Sequence, residues 1–310
     1  MGRKQQQPPE HFWAPRWWPV WVGVGLGRLL ARLPFGLLMG LGTLFGHLLF
    51  CLLPSRRHIV RVNLRLCFPE LAEAEREALV RRVFVANGIG FFESLLAWWG
   101  PRQAMARRVR FEGLEHLEGA LAEGRGVLLL GAHFSTLELG GLFMAEVATV
   151  NAMYRRHDNP LLDRIITQAR QRFCPQPIER RDIRGVIRTL KKNQCVWYAP
   201  DQDLGKHASV FAPFFGQQAA TLTATSRMAR LNNSPVLMLA HYRNPDNRSY
   251  TVRLSPPLED FPSGDDVADA VRVNQVIEEA IRVHPEQYLW LHKRFKTQPD
   301  GRHKLYKEFE

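Results

Sequence analysis

The sequence predicts an α/β fold, with a mixed, mostly parallel central sheet flanked by helices and an N-terminal membrane-embedded helical segment before it. Two patterns support this prediction. From about residue 109 onward, short apolar runs typical of buried strands alternate with longer segments of helical periodicity. Ahead of them, residues 17–53 are apolar apart from Arg28, Arg32 and His47. The chain therefore combines a globular α/β domain with a segment suited to a lipid bilayer.

The N-terminal segment has the composition of a membrane anchor. Residues 1–16 are polar and proline-rich, and the apolar run that follows opens with Trp17 and Trp18. Pro34 separates this run from a second one over 35–53. A spanning helix needs about 20 apolar residues, and tryptophan favours the membrane interface. We expect a polar tail over 1–16, a membrane anchor with interfacial helices over 17–54, and a cytoplasmic domain over 55–310.

The topology of this anchor stays open at the sequence level. In a single pass, the N-terminus lies across the membrane from the main domain, and the second run can lie along the membrane as an amphipathic helix. A hairpin would instead keep both ends on one side. Both topologies place the domain from Arg56 onward in the cytoplasm, because basic residues follow the second run. A third possibility is that both runs are core helices of a soluble protein.

The remaining chain follows an α/β order. Apolar residues spaced three and four apart predict a helix over 71–99, which Pro101 ends. Further helices are expected over 137–145, 161–173, 183–192, 219–231 and 267–284. Strands are expected over 109–111, 127–130, 149–154, 195–198, 236–242 and 250–254. This alternation predicts a mostly parallel or mixed sheet covered by helices.

The charge balance favours an anionic partner. The chain has 42 lysine and arginine residues against 30 acidic ones, a net charge of +12. No nucleic-acid-binding motif is visible, so we expect no nucleic acid partner. The four cysteines form no C-x-x-C pair, which indicates neither a zinc site nor a disulfide framework. We expect no metal and no cofactor.

A candidate catalytic pair lies where the apolar run 127–130 ends. His133 falls in the expected turn between strand and helix, and Glu138 follows in the first turn of that helix. On one continuous helix, positions five apart point about 140° apart, so the pair can meet only if His133 precedes the helix. A carboxylate on one imidazole nitrogen lets the other take a proton from a hydroxyl. The alternative is a capping box, Ser135-x-x-Glu138, and both roles can coexist.

Several further motifs carry a family resemblance. They are NLRLCFP at 63–69, YRRHDNP at 154–160, VWYAPDQDLG at 196–205, VFAPFFG at 210–216, AAT at 219–221 and PEQYLWLHKRFK at 285–296. Together with His-x4-Glu, they resemble the late acyltransferases of lipid A biosynthesis, which include lauroyl-, myristoyl- and palmitoleoyl-transferring enzymes. The resemblance covers about residues 17–302. The wider glycerolipid and lysophospholipid acyltransferase superfamily usually has His-x4-Asp, and here the acid is glutamate.

The resemblance implies a reaction and its partners. A fatty acyl group would move from the thioester of acyl carrier protein to the hydroxyl of a 3-hydroxyacyl chain on Kdo2-lipid IVA. His133 would be the general base and Glu138 would orient it, without metal, cofactor or acyl-enzyme intermediate. The expected location is the inner membrane of a Gram-negative bacterium, among its lipids, with the catalytic domain on the cytoplasmic side. The glycerolipid acyltransferase fold is the expected architecture.

The resemblance also implies phosphate-binding arginines. The superfamily block that contains Arg155 and Arg156 helps hold the phosphate of the acceptor, and a planar guanidinium suits that task. Arg170 on the following helix is a second candidate. For Arg155 and Arg156, the alternative is that one or both pair with Asp158 or Asp163.

Two acidic residues complete the candidate site. Asp201 and Asp203 follow the strand 195–198, where the superfamily has a Glu-Gly-containing block near the acceptor, and the resemblance implies that they orient His133 or an acceptor hydroxyl. Turn chemistry after Pro200 is the alternative. The segment 288–296 is expected to face lipid headgroups or the carrier protein, or else to pack its aromatic residues into the core.

Two alternative functions are compatible with these sequence features. A lysophospholipid acyltransferase is the nearest enzymatic alternative, and a catalytically inactive lipid-binding protein is the nonenzymatic one. The sequence does not fix the acyl chain length. We expect an apolar tunnel to measure it, with side chains such as Phe134 or Met144 at its floor.

Overall fold

The computed structural model describes residues 12–207, 209–300 and 305–307. The predicted tail over 1–16 therefore lies mostly outside the described residues. The helices are α1 (Trp18–Leu30), α2 (Phe35–Leu52), α3 (Pro54–Cys67), α4 (Glu73–Trp99), α5 (Arg102–Ala106), α6 (Leu114–Ala122), α7 (Leu137–Met144), α8 (Pro160–Arg170), α9 (Ile183–Lys191), α10 (Ala224–Asn232) and α11 (Asp266–Val283). The strands are β1 (Val109–Glu112), β2 (Val127–Leu130), β3 (Val150–Tyr154), β4 (Ile178–Glu179), β5 (Cys195–Tyr198), β6 (Ser209–Phe214), β7 (Gln217–Leu222), β8 (Val236–Arg243) and β9 (Tyr250–Pro257).

The central sheet confirms the predicted fold class. It has seven strands in the order β1-β9-β8-β2-β5-β3-β4. The pairing of β8 with β9 is antiparallel, and the other described pairs in this sheet are parallel. The carboxyl ends of β2, β3, β5 and β8 therefore meet at one edge, where loops of α/β enzymes carry binding residues.

Helices cover both faces of this sheet. Side chains alternate along a strand, so neighbouring residues of β2 enter different cores. Leu128 and Leu130 belong to one apolar cluster, whereas Val127 and Leu129 belong to the other. Because both faces of β2 are buried, every position of this strand is occupied by an apolar side chain.

The helix predicted over 219–231 is wrong in its first part. Residues 217–222 form β7, which pairs with β6 as a separate two-stranded hairpin, and α10 begins only at Ala224. Phe215 and Gly216 both have positive φ, which reverses the chain between the two strands. The alanines at 219 and 220 favour a helix locally, and pairing with β6 overrides that preference.

The first two helices present an apolar surface. Among the described residues, one helix, Phe35–Leu52, is long and apolar enough to cross a membrane, and 22% of it is buried. With 13 residues, α1 reaches only about 20 Å and is too short to span a bilayer core of about 30 Å. The large apolar side chains exposed on α1 and α2 are Trp18, Val22, Leu26, Leu29, Leu37, Leu44, Leu48 and Leu52.

Close helix packing joins α2 to the domain. A methyl group added at Gly46 would lie 2.5 Å from the Cα atom of Val85, and one at Gly88 would lie 2.4 Å from the backbone nitrogen of Gly46. Only glycine permits this approach between α2 and α4. Because α4 also contacts α7 and α8, it connects the apolar helix α2 to the helices that follow β2 and β3.

Candidate active site

His133 lies just beyond the carboxyl end of β2. Its backbone carbonyl accepts a hydrogen bond from the N–H of Leu289, and the N–H of Ser135 donates to the carbonyl of Gln287. Phe134 and Tyr288 form an isolated β-bridge between these segments. The loop that carries His133 is therefore held by the C-terminal part of the chain, more than 150 residues away in sequence.

Asp201 is the hydrogen-bond partner of His133. The distance from His133 Nδ1 to Asp201 Oδ1 is 2.6 Å, and the backbone N–H of His133 donates to Asp201 Oδ2 at 2.9 Å. The sheet explains this contact, because β2 and β5 are parallel neighbours with Leu130 beside Tyr198. The loops after these two strands consequently start at the same sheet edge. Asp201 is buried, whereas the His133 side chain remains partly exposed.

The two groups shift each other's pKa in opposite directions. Burial by itself would lower the pKa of His133, but the charge of Asp201 and its hydrogen bond outweigh burial and raise it above its usual value. For Asp201, burial would raise the pKa, yet the attraction of His133 and the bonds from its ring and backbone lower it. Asp201 therefore stays ionised and favours the protonated imidazole.

The prediction that Glu138 orients His133 is wrong in this structure. Glu138 accepts hydrogen bonds from Arg170, through Nε at 3.1 Å and also through Nη2, and from Trp98 Nε1 at 2.8 Å. Because α7 begins at Leu137 with Thr136 at its N-cap, Glu138 faces α4 and α8 rather than the preceding loop. The carboxylate at the imidazole comes from the next strand of the sheet instead.

The capping-box alternative for Glu138 is also wrong. In such a box, Glu138 would accept a hydrogen bond from the backbone N–H of Ser135. This N–H instead donates to the backbone carbonyl of Gln287. The Ser135 hydroxyl has no hydrogen bond among the described residues. Glu138 is therefore one half of an ion pair with Arg170 beside the loop that carries His133.

A cavity of about 330 Å³ opens beside His133. Glu138, Arg155, Arg170 and His241 supply further polar groups to its wall. Its apolar lining comes from Leu137, Met144, Val150, Ala152, Met153, Phe173, Pro177, Trp197 and Leu239. Of the two residues expected at its floor, Met144 lines the cavity, whereas Phe134 packs instead against the rings of His241, Tyr242 and Tyr288. The cavity is suited to a hydrocarbon chain whose polar end lies near His133.

The three candidate arginines occupy different environments. Arg155 lines the cavity mouth, is exposed, and forms an ion pair with Asp158 at 2.7 Å. Arg156 is exposed and does not line the cavity. The Arg170 guanidinium binds Glu138, so the structure gives it a carboxylate partner where a phosphate was expected. The alternative of Arg–Asp pairing thus describes Arg155 in this structure.

Asp203 stabilises a loop and does not line the cavity. Its carboxylate accepts hydrogen bonds from the backbone N–H and the hydroxyl of Thr297 and from the N–H of Gly205. The structure thus places Asp203 outside the cavity lining, and its contacts match the alternative of turn chemistry. Of the segment 288–296, Trp290, Arg294 and Phe295 are fully buried, as the core-packing alternative requires.

Several residues of the site carry no signal in the sequence. His241 lies within the apolar strand β8, and Thr136 bonds to it. Gln287 holds both the catalytic loop and the backbone of Arg243. These contacts join residues that are far apart in the sequence, by 44 residues for Arg243 and Gln287 and by 105 for Thr136 and His241, which no local spacing can indicate.

The three buried cysteines lack the properties of nucleophiles. Burial raises the pKa of Cys67, Cys174 and Cys195, for Cys195 to about 12. A thiol rather than a thiolate therefore occupies each position at neutral pH. Within the described part of the chain, no group of three or more His, Cys, Asp or Glu side chains is placed to hold a metal ion.

Comparisons with known proteins agree on one family. Residues 6–297 match the family model described as bacterial lipid A biosynthesis acyltransferase. The lipid A biosynthesis lauroyltransferase of Escherichia coli K12 is 40% identical over 93% of this chain and 94% of its own length. The palmitoleoyltransferase of the same organism is 38% identical, with 95% and 96% covered.

One further relative and one solved structure complete the comparison. A lipid A biosynthesis acyltransferase of Haemophilus influenzae is 38% identical over 96% of this chain and 97% of its own. The crystal structure of the 1-acyl-sn-glycerophosphate acyltransferase from Thermotoga maritima covers 81% of this chain and 97% of its own, at 15% identity and a TM-score of 0.37.

Proposed function

The chain belongs to the bacterial lipid A biosynthesis acyltransferase family, and from this premise we propose the two substrates and the catalytic groups. It is an acyltransferase of lipid A biosynthesis. The donor is the thioester of acyl carrier protein, and the acceptor is a hydroxyl on a 3-hydroxyacyl chain of Kdo2-lipid IVA. The observation that carries the mechanism is the bond from His133 Nδ1 to Asp201 beside an apolar cavity.

His133 is the proposed general base. Its Nδ1 proton is held by Asp201, so Nε2 is the nitrogen that can accept the proton of the acceptor hydroxyl. The hydroxyl oxygen then attacks the thioester carbonyl and forms the new ester bond. The carbon–sulfur bond breaks, and the thiol of the carrier leaves with the proton from the imidazolium. Asp201 stabilises that imidazolium during transfer and is the orienting carboxylate of the proposal.

Arg170 is proposed to act on the donor carbonyl rather than on a phosphate. Glu138 binds its Nε and Nη2 atoms, while its Nη1 has no hydrogen bond within the described residues. A cation fixed in a water-poor cavity can stabilise the negative charge that develops on a carbonyl oxygen. Glu138 then serves as the positioning residue for Arg170.

Arg155 remains the proposed phosphate ligand at the cavity mouth. Its ion pair with Asp158 is fully solvated, with 63% and 84% of the two side chains exposed. Such pairs contribute little to stability, so Arg155 can exchange Asp158 for a phosphate at small cost. We expect Arg155→Ala to lower kcat/KM for the acceptor by roughly tenfold or more and to leave donor use nearly unchanged.

A matched variant distinguishes a specific contact of Arg155 with the acceptor from the general effect of removing one positive charge. Arg156→Ala removes the same charge from the adjacent exposed position, which does not line the cavity. We expect a smaller loss for Arg156→Ala, and one that fades as salt is added. Equal losses for the two variants at every ionic strength would show that Arg155 makes no specific contact.

The proposed location is the inner membrane, with the catalytic domain on the cytoplasmic side. The exposed apolar side chains of α1 and α2 and the length of α2 support this location. We expect the full-length chain to resist alkaline carbonate extraction. Protease added to spheroplasts should leave the domain from Arg56 onward intact. Release by carbonate, or cleavage of that domain from outside, would contradict the location.

The lysophospholipid alternative can be tested in cells. If the proposed function is correct, deleting the gene should produce lipid A that lacks one secondary acyl chain, and mass spectrometry detects this loss directly. Restoration by the wild-type chain and not by His133→Ala would assign the loss to this active site. Unchanged lipid A together with altered phospholipid acyl chains would favour the lysophospholipid alternative.

A further inference from the structure

His241 is a polar group in the cavity that the mechanism above does not use. It lies on β8 two residues after Leu239, and both side chains line the cavity on the side of α7. Only 2% of its surface is exposed. A buried imidazole beside a hydrocarbon site is costly unless its nitrogens are satisfied, so the partners of the two ring nitrogens decide its role.

Thr136 fixes the proton of His241 on one nitrogen. The Thr136 hydroxyl donates to the backbone carbonyl of His241 at 2.9 Å and lies 2.8 Å from Nδ1. A hydroxyl has one proton, and the carbonyl can only accept. Nδ1 must therefore carry a proton and donate it to the Thr136 oxygen. Burial also lowers the pKa of His241 to about 4, so the ring is neutral and Nε2 has a free lone pair.

The ring of His241 packs against α7 at a position without a side chain. A methyl group added at Gly140 would lie 2.5 Å from Cδ2 and 3.0 Å from Nε2 of His241. Gly140 itself lines the cavity. Nε2 has no hydrogen-bond partner within the part of the chain that the structure describes. The cavity wall therefore includes an uncharged hydrogen-bond acceptor, Nε2 of His241, that has no partner in the described residues.

We propose that Nε2 of His241 accepts a hydrogen bond from a hydroxyl group on the donor acyl chain, so that the site favours hydroxyacyl donors. This inference rests on the proposed function, in which the cavity holds the donor chain. A hydroxyl offers the single neutral donor that a neutral imidazole needs. Leu239 and Met144 also line the cavity, and they can pack against the hydrocarbon part of a hydroxyacyl chain.

The test compares two donors of equal length. Dodecanoyl and 3-hydroxydodecanoyl acyl carrier protein are assayed with saturating Kdo2-lipid IVA, and kcat/KM is measured for each. The wild-type chain should favour the hydroxylated donor by roughly two- to tenfold. His241→Leu should remove that preference, and His241→Gln, which keeps an acceptor, should retain part of it.

A second substitution on the same strand face is the matched control. Leu239→Ala enlarges the cavity without changing its hydrogen bonding, so it should alter the preferred chain length and leave the hydroxyl preference intact. An identical donor ratio in the wild-type and His241→Leu chains would overturn the inference. If His241→Leu leaves the ratio of kcat/KM for the two donors unchanged but raises the KM for Kdo2-lipid IVA, His241 binds a hydroxyl of the acceptor instead. This result would also overturn the inference.

A binding measurement separates this inference from the proposed function. Calorimetry with dodecanoate and 3-hydroxydodecanoate reports on the cavity without requiring transfer. If the wild-type chain binds the hydroxylated acid more tightly and His241→Leu does not, the subsite stands even where transfer from acyl carrier protein fails. Equal affinities for the two acids in the wild-type chain would contradict the subsite directly.

Discussion

Replacing His133 by alanine is expected to abolish acyl transfer, with kcat reduced by about 10²- to 10⁴-fold at saturating substrates. The other titratable groups of the cavity cannot replace it. Glu138 is bound by Arg170 and Trp98, and the low pKa of His241 makes it a weak base. Single-turnover transfer with radiolabelled acyl carrier protein measures the chemical step.

Folding must be checked in the same samples. The variant removes one of the partners of the buried Asp201 carboxylate, while the backbone N–H of residue 133 still donates to it. We expect a moderately lower melting temperature, intact circular dichroism and normal membrane association. Near-normal kcat with these properties would end the assignment of His133 as the base.

Replacing Asp201 by asparagine is expected to lower kcat by a similar factor, about 10²- to 10⁴-fold. An asparagine that accepts the backbone N–H with its oxygen presents its NH₂ group to His133 Nδ1. This geometry forces the imidazole proton onto Nε2, which can then no longer accept a proton from the hydroxyl. The reversed arrangement would point the NH₂ group at the backbone N–H of His133 and leave that donor without an acceptor.

The pH profile gives Asp201→Asn a second signature. The base must be neutral, so kcat/KM falls as the pH falls through the pKa of His133. Asp201 raises this pKa, and removing its charge lowers it. The acid limb of the profile should therefore move to lower pH in Asp201→Asn, together with the reduced plateau.

Glu138→Gln is the matched comparison for this shift. It removes the same charge from the other carboxylate near the loop, but its partners are Arg170 and Trp98. We expect a loss of kcat through misplacement of Arg170 and an acid limb that moves less than in Asp201→Asn. A larger shift of the limb in Glu138→Gln would show that Glu138 is the orienting carboxylate.

The position of His133 could be predicted because its determinants are local. An apolar run bounded by glycine predicts a buried strand, and a parallel sheet displays the residue after that strand at its carboxyl edge. The alternation of strands and helices likewise predicted a mostly parallel sheet. Both predictions use only the local pattern of apolar residues, which differs between strands and helices.

The partner of His133 could not be derived from spacing. His133-x4-Glu138 suggests a local pair, whereas the observed partner Asp201 comes from the parallel neighbour β5. This contact depends on β5 being the neighbour of β2 in the sheet. The order of strands in a sheet cannot be predicted from the local spacing of apolar residues. The expectation that Asp201 or Asp203 orients His133 named the right loop without selecting between its two acids.

Tertiary pairing also explains the remaining differences. The hairpin of β6 and β7 depends on positive φ angles at Phe215 and Gly216 and on cross-strand pairing, while its alanines alone favour a helix. Asp203 binds Thr297 at a separation of 94 residues. Such contacts form only when the chain is folded, so composition and local motifs do not reveal them.

Transfer by the purified, full-length chain in detergent tests the central claim most directly. Lauroyl acyl carrier protein and Kdo2-lipid IVA are incubated with the wild-type, His133→Ala and Asp201→Asn chains, and the lipid product and the free carrier are followed by mass spectrometry. We predict that the wild-type chain adds one acyl group to Kdo2-lipid IVA for each carrier thiol released, and that both variants do so at least a hundredfold more slowly. A rate in either variant that is comparable to the wild-type rate, or wild-type acylation of a lysophospholipid with none of Kdo2-lipid IVA, would contradict the account.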